Sequence, residues 1–149
     1  MKFARTLIAS VAAGLLATSA IAMTKEEHKT AKDNIEATYK ADKNNCDALT
    51  ANAKDICQKE AKGKEKVAKA ELEAQYKPSA KNTQKVAEAR ADAAYDVAKE
   101  KCDDLKGNEK DVCEKDAKAA HVKAKEDAKV AAAQAKPADT AAEKAANVA

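Results

Sequence analysis

Residues 39–62 read YKADKNNCDALTANAKDICQKEAK, and residues 95–118 read YDVAKEKCDDLKGNEKDVCEKDAK. Aligned at an offset of 56, 12 of the 24 positions are identical. Shared Lys and Ala carry little weight in a chain this rich in both. The matched Tyr39/Tyr95, Cys46/Cys102, Leu49/Leu105, Asn52/Asn108, Asp55/Asp111 and Cys57/Cys113 carry much more. A repeat of this length marks one supersecondary unit used twice.

Each copy reads as two helices with a break between them. Ala, Lys, Glu and Gln dominate, and all are strong helix formers. Acid-to-Lys spacings of four recur at Glu36/Lys40, Glu60/Lys64, Glu65/Lys69 and Glu114/Lys118, each expected to add a few tenths of a kcal/mol to an exposed helix. In the second copy Ala91, Tyr95, Ala98, Cys102 and Leu105 fall on one helical face. In the first, Ile35, Tyr39, Cys46 and Leu49 do the same, interrupted by Asp42. Gly107 marks the break, since glycine takes positive φ beyond a helix end without steric cost. Asn108 is then expected to cap the following helix, with Asp111 in the capping-box position. Asn52 and Asp55 occupy the same places in the first copy, but Ala51 replaces the glycine. Pro78 closes the first unit, and Pro137 precedes an Ala-rich tail.

The expected fold is all-α: two repeated disulfide-stapled helical hairpins, arranged as a four-helix array or an elongated coiled-coil-like rod. The expected divisions are a leader over 1–22, hairpins over 23–78 and 79–136, and a flexible tail over 137–149. Four cysteines allow three pairings. If the chain turns near Asn52 and Asn108, Cys46 pairs with Cys57 and Cys102 with Cys113, stapling each corner. If each segment is instead one continuous helix, cysteines 11 residues apart lie about 16 Å apart at 1.5 Å per residue. Cys46 would then join Cys113, and Cys57 would join Cys102, across two antiparallel helices. Gly107-Asn108 is a poor helix interior, which favours the local pairing.

A staple is needed because the greasy core is meagre. After Ala22 the larger aliphatics number a dozen, spread from Ile35 to Val148, and the aromatics are Tyr39, Tyr76 and Tyr95. Burying one such aliphatic contributes about 1.5–3 kcal/mol, too little in sum to offset the ordering of over a hundred residues. Small folds in this position carry covalent cross-links.

The N-terminus names the compartment in which such links form. Met1-Lys2-Phe3-Ala4-Arg5 carries two positive charges and no acid; an apolar run follows from Leu7 to Leu16, and then Ala20-Ile21-Ala22. Charged, apolar, small-residue order is the secretory pattern. Cleavage between Ala22 and Met23 is expected, followed by export across the inner membrane to the periplasm, where disulfides persist. The rest of the chain has no long apolar run, so no membrane insertion of the mature part is expected.

Without residues 1–22 the chain holds 26 basic and 25 acidic residues. That balance offers no clustered basic face for nucleic acid. The mature part has only Gly63 and Gly107, too few for a glycine-rich phosphate loop. No Cys-x-x-Cys redox pair is present, and zinc sites favour about two to four residues between close ligands. His28 and His121 occupy unrelated repeat positions. No enzyme, metal or cofactor is expected, and Tyr39 and Tyr95 read as core filling.

The segments CDALTANAKDIC and CDDLKGNEKDVC, with EAKGKEKVAKAELEAQYKPS between them, resemble a family of exported Lys/Ala-rich proteobacterial proteins labelled "cell envelope biogenesis protein TolA-like". The resemblance implies an envelope setting and transfers no functional residues; a protein partner there is expected from export, the repeat, the amphipathic helices and the missing catalytic chemistry. Two functional classes follow: a non-enzymatic structural or interaction protein of the envelope, or a stress-protective hydrophilic chain of the late-embryogenesis-abundant kind, which the mean hydropathy of −0.66 fits. A periplasmic metal or redox buffer is a minor third.

Overall fold

In the computed structural model the described residues are 23–146, with side chains described to residue 136. The leader, including Ala22 of the expected cleavage site, lies outside them, and Met23 stands just before the first helix. Four helices make up the described chain: α1 (Lys25–Cys46), α2 (Ala51–Tyr76), α3 (Ala80–Cys102) and α4 (Gly107–Ala146). No strand occurs among the described residues, and the all-α expectation holds.

The helices pack serially. α1 lies on α2, α2 on α3 and α3 on α4, with no α1–α4 or other pairing among the described residues. The molecule is therefore an open, single-layer array, the first of the two arrangements expected. The α2–α3 contact is the broadest of the three, so the hairpins are docked on one another and do not form separate units along a rod.

Local chemistry sets the ends. Thr24 and Glu27 form a capping box on α1: the Glu27 N–H donates to Thr24 Oγ1 at 3.1 Å, and the Thr24 N–H donates to the Glu27 carboxylate at 2.8 Å. These bonds satisfy two donors that a helix start leaves orphaned, and the backbone bond, then the side-chain bond, holds the Glu27 pKa below its ordinary value. Pro78 sits in the α2–α3 turn, and Ser79 then caps α3, accepting from the Asn82 N–H at 3.2 Å.

Two expectations need correction. Neither Asn52 nor Asn108 is an N-cap: α2 begins at Ala51 and α4 at Gly107, so both asparagines lie within the first helical turn. Residues 51 and 107 themselves turn the corner, with φ of 51° at Ala51 and 57° at Gly107. The alanine adopts the same left-handed conformation as the glycine, which places the first break where the second one is. The boundary at Pro137 is also not a helix end, because the α4 backbone continues to Ala146. Ala-rich sequence runs on both sides of that proline, and Ala is the strongest helix former.

The core is built mostly from small residues: Cys46, Ala61, Leu72, Ala80, Ala91, Cys102 and Ala128 are buried. Small side chains let helices approach closely. The tightest point is Gly63 of α2 against Ala93 of α3, where a Cβ on residue 63 would sit 2.8 Å from the Ala93 Cβ. Ion pairs add to this packing, mostly across helices. Of the four acid-to-Lys pairs read from spacing, Glu65–Lys69 closes at 2.8 Å. Glu36 reaches instead to Lys69 on α2 at 3.2 Å, and Glu60 to Lys101 on α3 at 3.9 Å.

Candidate functional site

The stapled corners are the most regular feature of the molecule. Cys46 bonds Cys57 with Cα atoms 5.6 Å apart, and Cys102 bonds Cys113 at 5.7 Å. Local pairing is thus the one adopted. The alternative needed continuous helices, and α1 and α3 end at Cys46 and Cys102. Both first cysteines are fully buried, and no cysteine is free. Disulfides of this kind persist in an oxidising, non-cytoplasmic compartment.

The two corners repeat in detail. Leu49 and Leu105 donate their N–H groups to the carbonyls of Cys46 and Cys102, each at 3.0 Å. Lys54 binds Asp47 at 2.9 Å, and its counterpart Lys110 binds Asp103 at 2.7 Å. These lysines hold both aspartate pKa values below the ordinary carboxylate range. The leucine side chains remain exposed at both corners.

Asn52 differs from its counterpart. Its amide crosses to the second hairpin and donates to the Glu100 carbonyl at the end of α3, at 2.9 Å. Asn108 sits exposed on the free side of the array. The asparagine read as a cap is therefore a docking residue between the two hairpins.

Between the helices of each hairpin lies a polar cluster around a tyrosine. In the first, Glu65 is only 8% exposed and accepts from Lys62 at 2.7 Å and Lys69 at 2.8 Å. Those two lysine hydrogen bonds hold its pKa below the ordinary glutamate value against the opposing effect of burial. Lys62 also stands over the Tyr39 ring, 5.0 Å from its centre. In the second hairpin the position of Glu65 is taken by His121, which approaches Asp92 at 2.6 Å and stacks on Tyr95 with ring centres 4.7 Å apart. Lys125 reaches the same aspartate at 3.3 Å. Burial raises the Asp92 pKa, but hydrogen bonds from His121 and Lys125 outweigh it and leave the group below its usual value. His28 of α1 makes a third such set with Glu73 at 2.8 Å and the Tyr76 ring at 4.4 Å.

Tyr39 and Tyr95 are half-buried, and each packs against one of these charged clusters. The two histidines are unrelated by the repeat, yet each meets an acid and a tyrosine three residues apart. The recurring acid-x-x-Tyr at 36–39, 73–76 and 92–95 was the available signal. Among the described residues, no group of three or more His, Cys, Asp or Glu side chains is placed to hold a metal ion.

On one face of the array an open groove of about 680 Å³ runs between α2 and α3. Gly63, Val67, Ala93, Ala94 and Val97 give it an apolar floor. Arg90 and Glu71 pair across it at 2.6 Å, and Lys101 and Glu60 line it as well. Among the described residues no helix is long and apolar enough to cross a membrane. Comparison with protein-family models, curated proteins and solved structures finds no match for this chain.

Proposed function

We propose that this chain is a non-enzymatic structural and interaction protein of the periplasm, a stapled helical array that engages another component of the cell envelope. The observation that carries the reading is the pair of corner disulfides on an otherwise thin, Ala-built layer. Such a layer has two broad faces and little interior. Its polar groups are spent on tying helices together: Lys69 of α2 reaches Glu36 of α1, His121 and Lys125 of α4 reach Asp92 of α3, and Asn52 of α2 donates to the Glu100 carbonyl of α3. The α2–α3 groove, with its apolar floor and rim of both charge signs, is the surface best suited to the side chains of a protein partner. The secretory pattern of residues 1–22 and the resemblance to exported Lys/Ala-rich envelope proteins supply the location.

Site-directed photo-crosslinking in intact cells tests this. A photoreactive residue replacing Val97 in the groove is expected to trap one discrete envelope protein, and the same residue at exposed Lys32 on α1 is expected to trap none. Osmotic shock is expected to release the protein with periplasmic markers. Fractionation with cytosolic markers, or no specific adduct from the groove, refutes the proposal.

A further inference from the structure

The two free edges of the array are built differently. α1 and α3 are repeat counterparts, so the outer side of α1 corresponds to the side of α3 that docks on α2. Where α3 carries Val86, Arg90, Val97 and Glu100, α1 carries Thr30, Asn34, Ala41 and Asn44, and all four are exposed. This polar edge is what a terminal capping repeat needs. α4 is the counterpart of α2. Its outer side corresponds to the docking face of α2; it keeps apolar residues there at Val112, Ala119 and Val130 and carries Lys123 and Glu126 where α2 has Val67 and Ala70. Ile56, which shares its face with Gly63, becomes Val112, which is 48% exposed. Val122 and Val130 are 51% and 56% exposed. These valines are three of the five exposed large hydrophobics among the described residues.

Helix geometry defines the stripe. His121 points at α3 through Asp92. Val112 and Val130 each lie nine residues from it, two and a half turns at about 3.6 residues per turn, and so on the opposite side. They stand symmetrically about its level, about 27 Å apart along the axis. The charges between them are antisymmetric. Lys115 and Glu126 occupy one flank of the stripe, and Asp116 and Lys123 the other.

We infer that α4 is a self-association surface, on which a second copy of this chain docks its own α4 antiparallel about a two-fold axis level with residues 120 and 121. An axis perpendicular to both helices brings like flanks together. Val112 then meets the partner subunit's Val130, Lys115 meets the partner's Glu126, and Asp116 meets the partner's Lys123. Every one of these contacts occurs twice, as an isologous interface requires. A parallel pairing would instead set Lys115 beside the partner's Asp116 and Glu126 beside the partner's Lys123, and there the double charge reversal tested below would deepen the loss of pairing rather than restore it.

Head-to-tail growth, with α4 on the α1 edge of another copy, is disfavoured by the sequence. Ala119 stands where α2 has Gly63, and a Cβ on Gly63 would lie 2.8 Å from the Ala93 Cβ. The α1 counterpart of Ala93 is again an alanine, Ala37. Repeating the α2–α3 contact between copies would reproduce that clash, so the association closes at two and does not run on as a filament.

The test is sedimentation of the oxidised protein, isolated as the cell processes it, between about 1 µM and about 1 mM, a range that spans weak association. A concentration-dependent monomer–dimer equilibrium is expected. Val112→Asp should weaken dimerisation at least about 100-fold, since it places two carboxylates against the partner's valines. Lys115→Glu and Glu126→Lys should each weaken it about 10-fold, and together should restore it to within about 3-fold, as a coupled pair does. A protein that stays monomeric throughout overturns the inference. So does a dimer indifferent to Val112→Asp, a charge reversal that the double variant fails to rescue, or assembly beyond two copies. Unchanged far-UV circular dichroism of each variant separates loss of pairing from loss of fold.

Discussion

Opening one staple while leaving the other intact measures how far the disulfides hold the array. Each spans 11 residues of sequence, and the chain-entropy relation assigns a loop of that size about 2.8 kcal/mol. That matches the full burial of one large aliphatic side chain, about 1.5–3 kcal/mol. Leu72 is the one large aliphatic side chain buried among the described residues. Two staples together then supply about 5–6 kcal/mol, against net stabilities of about 5–15 kcal/mol for folded domains generally. Because the cross-link acts mainly on the unfolded chain, the double substitution Cys46→Ser with Cys57→Ser should leave far-UV circular dichroism near 10 °C almost unchanged. Its thermal midpoint should fall by about 10 °C, since a fold of this size shifts by about 4 °C per kcal/mol. Cys102→Ser with Cys113→Ser should do the same. Full reduction should cost about twice as much and leave a chain that is largely unfolded at 37 °C. Reduced protein that melts within about 2 °C of the oxidised form would refute the reasoning and hand the stability to Ala packing and ion pairs.

Four further outcomes follow from named contacts. Ala51→Gly should raise stability by about 0.5–1 kcal/mol, and Gly107→Ala should lower it similarly: both positions hold left-handed φ and nothing lies within 4 Å of a Cβ at residue 107, so urea melts would read backbone strain alone. Gly63→Ala should destabilise by about 1–3 kcal/mol in the same assay, because its Cβ would meet that of Ala93 at 2.8 Å and push α2 from α3. Asn52→Ala should cost about 1 kcal/mol by leaving the Glu100 carbonyl without its cross-hairpin donor, whereas Asn108→Ala should have little effect on a monomer. Glu65 has a lowered pKa, so its contribution is fully present above the unfolded-state value near 4.5 and is lost as pH falls through the lower folded value; Glu65→Gln should flatten that part of the stability profile below about pH 4.5.

The sequence carried the all-α class, the duplication and the local pairing of cysteines because each rests on residue types that mean the same thing in any context. Gly107 and the 56-residue echo of Cys, Leu and Asn needed no knowledge of packing. What it did not carry depends on which helix lies beside which. Asn52 looks like a cap because Asn commonly is one, yet its amide is used on the Glu100 carbonyl of a helix 48 residues away. Ala51 gave no sign of a left-handed turn, since alanine pays for that conformation and the staple beside it must hold it there. Glu36 and Glu60 had a lysine four residues on, but an adjacent helix offered another lysine, and in a layer this thin the neighbour is as close as the next turn. The clusters around Tyr39 and Tyr95 were hidden for a related reason. The repeat aligns Glu65 with His121, two residues that share no chemistry in isolation. Only the facing helix shows what they have in common: the two lysines that Glu65 holds on α2 reach Glu36 and the Tyr39 ring of α1, and His121 of α4 meets Asp92 and Tyr95 of α3, so each position braces its own hairpin beside a tyrosine. Duplication preserved the position and the need for a polar brace there, and left the residue type free to change.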